Sequence, residues 1–269
     1  MTTTSAAQPD AVHRRRSAAA PAVRLLAKRE LTRLLRQPGR LIASIATPLL
    51  IYAFLGSGFA EALAADAVGE GGLAAFLMPG LLALIILASA VMTSIAIIED
   101  RQAGWLRGVI VSPAPRWSIA AGTVLGAAAV AAVQAAILLP AVFVLGHTLT
   151  IAGVVLSCVV LAIIAVAMCG LGFALAWRTE SAASFHGVMN LVFMPMWLLS
   201  SALVPPAGAA EWFAFIIRIN PMTWWTESLR GAMSGEIRPV PTLLTIGFAA
   251  AMFIIASVTA SRSRRPALD

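Results

Sequence analysis

Charge is scarce in this chain: 12% of its 269 residues are Asp, Glu, Lys or Arg and 60% are hydrophobic, against roughly 25% and 45–50% in an ordinary soluble domain. Residues 41–60, 73–98, 117–177, 184–204 and 241–261 contain no Asp, Glu, Lys or Arg. Transport driven by protons or sodium ordinarily needs such groups at membrane depth, so the runs argue against ion coupling. Gln134 and Asn190 fit hydrogen bonds between helices, and His186 fits an interfacial site. Lysine occurs once, as Lys28 after Ala27 in a basic segment, which excludes a Gly-x-x-x-x-Gly-Lys-Ser/Thr phosphate loop. Cysteine occurs twice, and Cys158 and Cys169 share an apolar run without Cys-x-x-Cys spacing. They read as small core residues, not as disulfide partners or metal ligands. His-Glu-x-x-His is missing, Ser57 between Gly56 and Gly58 lacks the setting of a serine nucleophile, and Met189, Met194 and Met196 have no Cys or His at matching spacing. No cofactor is expected on this chain.

Apolar length is what the chain has in excess. A helical crossing takes about 20 apolar residues, and the run 117–177 must turn once, at the polar break Gly146-His147-Thr148-Leu149-Thr150. The expected fold is an all-α integral membrane protein with six transmembrane helices at about 41–60, 73–98, 117–145, 151–177, 184–204 and 241–261. With six crossings both ends share one side. That side would hold 16 of the 19 basic residues, leaving Arg218, Arg230 and Arg238 opposite, beside Glu61, Asp66, Glu70, Glu211, Glu227 and Glu236. The positive-inside rule then places both termini in the cytoplasm. The net charge of +7 follows from this orientation, and no nucleic-acid partner is expected. Trp105, Trp117 and Trp177 would fall at inner span ends and Trp212, Trp224 and Trp225 at the outer boundary, as an aromatic belt does.

Residues 1–22 read as a disordered cytoplasmic tail, and 262–269 as another. A cleavable leader is not expected, because the stretch Ala18–Val23 contains Pro21 and stops at Arg24, short of the roughly 7–15 apolar residues a leader needs. From Val23 to Arg36, Val23, Leu26, Ala27, Leu31, Leu34 and Leu35 share one helical arc and Lys28, Arg29, Arg33 and Arg36 the other, while Arg24, Leu25 and Glu30 spoil the pattern. Two readings fit: an amphipathic helix in the inner headgroup layer with its cations near anionic membrane lipids, or plain orientation charges ahead of a span.

Two connecting segments stand out. The inner one, Ile98 to Trp117, mixes charge with apolar residues. Trp105, Leu106, Val109 and Ile110 can share one face of a short helix that Pro113 and Pro115 stop. Such a helix can dock in a partner's groove and pass displacement to the spans on either side; an ordinary loop with belt residues fits the same letters. The outer one, 205–241, holds Trp212–Ile217, six residues between Glu211 and Arg218, too few to cross about 30 Å at about 1.5 Å per residue. Asn220-Pro221 then breaks the chain before Thr223–Arg230, so the expectation is a re-entrant helical hairpin between spans five and six, with Glu227 and Arg230 paired at i and i+3.

These segments carry a family resemblance. Glu99-Asp100-Arg101-x-x-Gly104-x-Leu106-Arg107 with Val111-Ser112-Pro113, then Leu198–Pro205, then Asn220-Pro221-Met222-Thr223 leading to Glu227-x-x-Arg230-Gly231, resemble in order the permease subunits of type-2 ABC exporters. The resemblance implies an ABC-2 permease domain over 23–261, with an N-terminal interfacial helix. It also implies a coupling segment that meets a cytoplasmic ATP-binding cassette ATPase through Glu99, Asp100, Arg101, Gly104, Trp105, Leu106, Arg107, Ser112 and Pro113. The outer hairpin motif would be Asn220, Pro221, Thr223, Glu227 and Arg230. It further implies a second permease copy, as homodimer or heterodimer, meeting the first largely through spans one and five, with ATP and magnesium held by the ATPase. Trp105, Arg107 and Gly108 depart from the Thr, Glu and better helix former that many members have there. The expected setting is the bacterial cytoplasmic (inner) membrane and the expected task efflux of an amphipathic, drug-like, lipid or lipid-linked glycan cargo. The rival expectation is an ATP-independent membrane scaffold or channel.

Overall fold

A computed structural model describes residues 19–58, 72–104, 115–140, 150–205 and 209–262. The described residues form helices and turns, without strands. In chain order the helices are α1 (Ala19–Leu35), α2 (Pro38–Gly58), α3 (Gly72–Gln102), α4 (Trp117–Ile137), α5 (Ile151–Ala176), α6 (Ala182–Leu198), α7 (Glu211–Ile219), α8 (Pro221–Met233) and α9 (Pro239–Arg262).

The boundaries have local causes. The residue before a proline avoids the helical region, and proline itself suits a first helical position; Gln37-Pro38 therefore separates α1 from α2, and Asn220-Pro221 separates α7 from α8. Thr150 caps α5 by accepting from the Gly153 amide at 3.0 Å, and Ser181 caps α6 by accepting from Ser184 at 3.1 Å. At the end of α3, Gly104 takes a positive φ of 76°, a left-handed terminus that suits glycine.

Among the described residues four helices are long and apolar enough to cross a membrane: Phe76–Gln102, Trp117–Ile137, Ile151–Ala176 and Pro239–Arg262. Of the other two expected crossings, the described residues include the apolar stretches Ile42–Phe54 of α2 and Ala182–Leu198, the whole of α6. The expected fifth span runs to 204, but α6 stops at Leu198 and residues 199–204 turn back beneath α8. The third expected span runs to 145, whereas α4 ends at Ile137 ahead of Pro140, and residues 141–149 lie outside the described residues. So do most of the expected tails, 1–18 and 263–269, although Ala19–Ala22 already belong to α1.

The core is built around α3. Met78, Leu82, Ile85, Ile86 and Ile98 are fully buried there, facing Leu161, Ile164, Met168 and Phe173 of α5, with Phe185, Phe193 and Trp225 closing the ends. Trp225, expected in the outer belt, is 1% exposed and stands edge-on to Phe248 at 5.7 Å; it is a core residue. Trp212 of α7 does lie on the surface.

Candidate coupling site

The C-terminal end of α3 is an ionic junction. Asp100 accepts from Arg29 and from Arg33 of α1, each at 2.9 Å. Glu99 lies 3.6 Å from Arg33. Asp100 and both arginines are partly shielded from water, which strengthens such contacts over exposed ones. The next residue turns the other way: the Arg101 guanidinium donates to the Trp177 carbonyl at 2.8 Å and to that of Thr179. Trp177 is the C-cap of α5, whose carbonyl lacks a partner inside the helix, and Thr179 follows in the turn to α6. Gln102 adds a bond to the Glu180 carbonyl at 3.1 Å. Three consecutive residues therefore tie α3 to α1 on one side and to the α5–α6 turn on the other. Gly104 then ends the helix.

Glu99, Asp100, Arg101 and Gly104 thus meet in one place, with Asp100 and Arg101 engaged inside the chain. Trp105, Leu106, Arg107, Ser112 and Pro113 lie within 105–114, outside the described residues. The partners Arg29 and Arg33 were not singled out by sequence reasoning, which set them toward lipid. An acidic pair ending an otherwise uncharged span was the available signal, because such a pair needs countercharges at its own level.

α1 reaches this junction by packing along α4. A Cβ on Gly122 would stand 2.7 Å from Leu26 Cβ, and one on Gly126 would stand 2.7 Å from Ala27 Cα. The four-residue glycine spacing lets the two backbones approach closely. Leu26 and Glu30 are buried as a result, while Leu25 is 70% exposed and Arg24 and Lys28 lie on the exposed face. Of the arc expected to be apolar and shared, Leu31 is exposed as well.

At the opposite end of the bundle the outer motif is assembled by α8. Asn220 donates from Nδ2 to the Met196 and Leu199 carbonyls at 2.8 and 2.7 Å, and its Oδ1 accepts from the Met222 amide at 2.9 Å, capping α8 above Pro221. Thr223 Oγ1 accepts from the Ser201 amide at 3.0 Å, and the hydroxyls of Ser201 and Thr226 are 2.8 Å apart. Glu227 accepts from Arg230 and from Arg238. Arg230 also donates to the Phe76 carbonyl at 3.2 Å and lies 4.6 Å above the Phe76 ring, a cation–π contact. All five expected outer residues take part. Phe76, Ser201 and Arg238 come from other segments and Thr226 from α8 itself, and none of the four was in the expected set.

Among the described residues no cluster of His, Cys, Asp or Glu could hold a metal ion. The two sites contain hydrogen-bond and ion-pair clamps at the ends of α3. Such an arrangement holds the helices in register.

A 208-residue stretch covering 77% of this chain is 26% identical to 72% of the protein named "Putative transport permease ycf38" from Cyanophora paradoxa. A 156-residue stretch covering 56% of the chain is 30% identical to 42% of the protein named "Probable multidrug ABC transporter permease YbhR" from Escherichia coli (strain K12). The ABC-2 type transporter family matches residues 21–234. By that match the chain belongs to the ABC-2 type transporter family, as a multi-pass membrane permease of an ABC transporter.

Proposed function

We propose that this permease forms, with a second permease, the path by which an amphipathic cargo leaves the bacterial cytoplasm, driven by separate ATPase subunits that hold ATP and magnesium. Membership of the family implies ATP-binding cassette ATPases as partners. Residues 105–114 are the contact with them in this reading, and their motion enters the membrane through α3. The observation that carries the reading is the clamp at Asp100 and Arg101, which fixes the helix leading into that segment to α1 and to the α5–α6 turn. A loop springing from so braced a helix end can move several helices at once.

Both termini are cytoplasmic in this reading, in the inner membrane, and α2 and α6 complete six crossings. α7 and α8 form the re-entrant hairpin on the outer side. The second copy, identical or related, meets α2 and α6, which carry exposed Phe54 (73%) and Leu191 (78%). A partly open pocket lined by Tyr52, Gly80, Leu84, Trp197 and Leu203 lies between α2, α3 and the end of α6, and its apolar lining supports a drug-like, lipid or lipid-linked glycan cargo. The word multidrug in the name of the Escherichia coli relative favours the first of these.

The test is reconstitution with the ATPase. ATP hydrolysis should drive uptake of an amphipathic dye into inverted vesicles. Arg101→Ala and Gly104→Pro should each keep hydrolysis and insertion while lowering uptake about tenfold or more, an energetic loss of about 1.4 kcal/mol in coupling. Uptake by the permease alone, without nucleotide, would instead favour the channel reading.

A further inference from the structure

Glu30, the residue that spoils the amphipathic pattern of α1, is only 4% exposed. A Cβ on Gly126 would lie 3.1 Å from its own Cβ, so α4 presses directly against it. Its Oε1 accepts from Arg29 Nη1 at 3.3 Å, while the same guanidinium holds Asp100 through Nη2 at 2.9 Å. Arg33 serves Asp100 at 2.9 Å and Glu99 at 3.6 Å. Glu30 and Asp100 thus share the Arg29 guanidinium, and the more deeply placed carboxylate has the longer hydrogen bond. From the other elements, the Cys169 thiol of α5 is electrostatically coupled to Glu30. α4 carries no ionisable residue between Trp117 and Ile137, with Arg116 at its N-terminal end, and the described side chains of α2 include Tyr52. On α1 itself, Arg24 and Lys28 point to the exposed face.

A carboxylate withdrawn from water, beside a second carboxylate on the same guanidinium, relaxes by taking up a proton. We propose that Glu30 is a proton-binding site, and that its proton sets how firmly α1 is latched to the inner end of α3. With the proton bound, Arg29 belongs to Asp100. Once the proton leaves, Glu30 competes for the same guanidinium and the α1–α3 contact weakens. Burial is the main cause that raises the proton affinity of Glu30 above the usual glutamate range, with Arg29 and Arg33 opposing and Asp100 adding to it. A carboxyl whose affinity for the proton is raised by folding stabilises the fold below its ordinary range, about pH 4.3, and loses that contribution as pH climbs through its folded value.

The proposal makes the coupling reading of this junction pH-sensitive, yet it is tested on the permease alone, so either idea can fail without the other. In detergent, the melting temperature of the wild-type permease should fall as pH rises above the ordinary glutamate range. Glu30→Gln should flatten that fall and melt about 2–4 °C above wild type at pH 8. Infrared spectra of the wild type should keep a protonated carboxyl band after ordinary carboxyls have ionised, and Glu30→Gln should lack it. Should that variant not fold, Asp100→Asn replaces it: removing one negative neighbour should lower the pH at which the band disappears. Equal pH slopes with and without Glu30, a band that survives Glu30→Gln, or a band unmoved by Asp100→Asn would each overturn the site.

Discussion

Asn220 shows how much one side chain decides here. Its amide nitrogen holds two carbonyls at the end of α6 and its oxygen caps α8. Truncation to alanine removes a cap, typically worth about 1 kcal/mol, and strands two sheltered carbonyls at roughly 1–3 kcal/mol apiece before relaxation. Asn220→Ala should therefore lower stability by about 2–4 kcal/mol. Asn220→Asp should do no better, although aspartate is a good cap, because it offers acceptors where α6 needs donors. Thermal unfolding of the two variants side by side checks this; a clearly more stable aspartate variant would mean that the cap alone matters. The α8 start was legible, since Asn-Pro before Met-Thr is a cap followed by a first-turn proline. The early end of α6 was not. Residues 199–204 read as a continuing apolar run, and what stops them is Asn220 and Thr223, which folding brings from a separate segment.

At the scale of an element, α1 is the instructive case. Its hydrophobic pattern fits a helix lying flat on a membrane and also a helix packed on a neighbour, because both bury one arc. The distinguishing letters sit elsewhere, in Gly122 and Gly126 of α4, whose spacing marks a close approach. The ionic junction was equally hard to read, as Arg29 and Arg33 are 71 and 67 positions away from Asp100. The long spans α3, α5 and α9 were plain because an unbroken apolar run has few other ways to fold. Gly126→Leu should push α1 off α4, an overpacking cost of about 1–3 kcal/mol, and speed trypsin cleavage after Lys28 and Arg29 in the folded permease. Gly187→Ala on α6, where nothing lies within 4 Å of the added carbon, should leave both stability and cleavage at wild-type levels or better. Equal cleavage in all three proteins would place α1 free of α4.

The whole molecule is organised about α3 as a rod held at both ends. Phe76 meets Arg230 at the N-terminal end, and Asp100 meets Arg29 and Arg33 at the C-terminal one. Phe76 and Asp100 are 24 positions apart, about 36 Å at about 1.5 Å per residue. Groups that far apart share no partner, so their effects on stability should add within about 0.3–0.5 kcal/mol. Transport is different if force travels along the rod, since freeing either end leaves the other clamp nothing to transmit. In the assembled transporter, Asp100→Asn and Arg230→Gln should each lower ATP-driven uptake, and the double variant should transport about as well as the worse single one. The same three proteins, unfolded thermally, should show additive losses. Additive losses in transport as well would mean that the two clamps act separately, each as local bracing, and that displacement at the inner loop reaches the outer helices by a route other than α3.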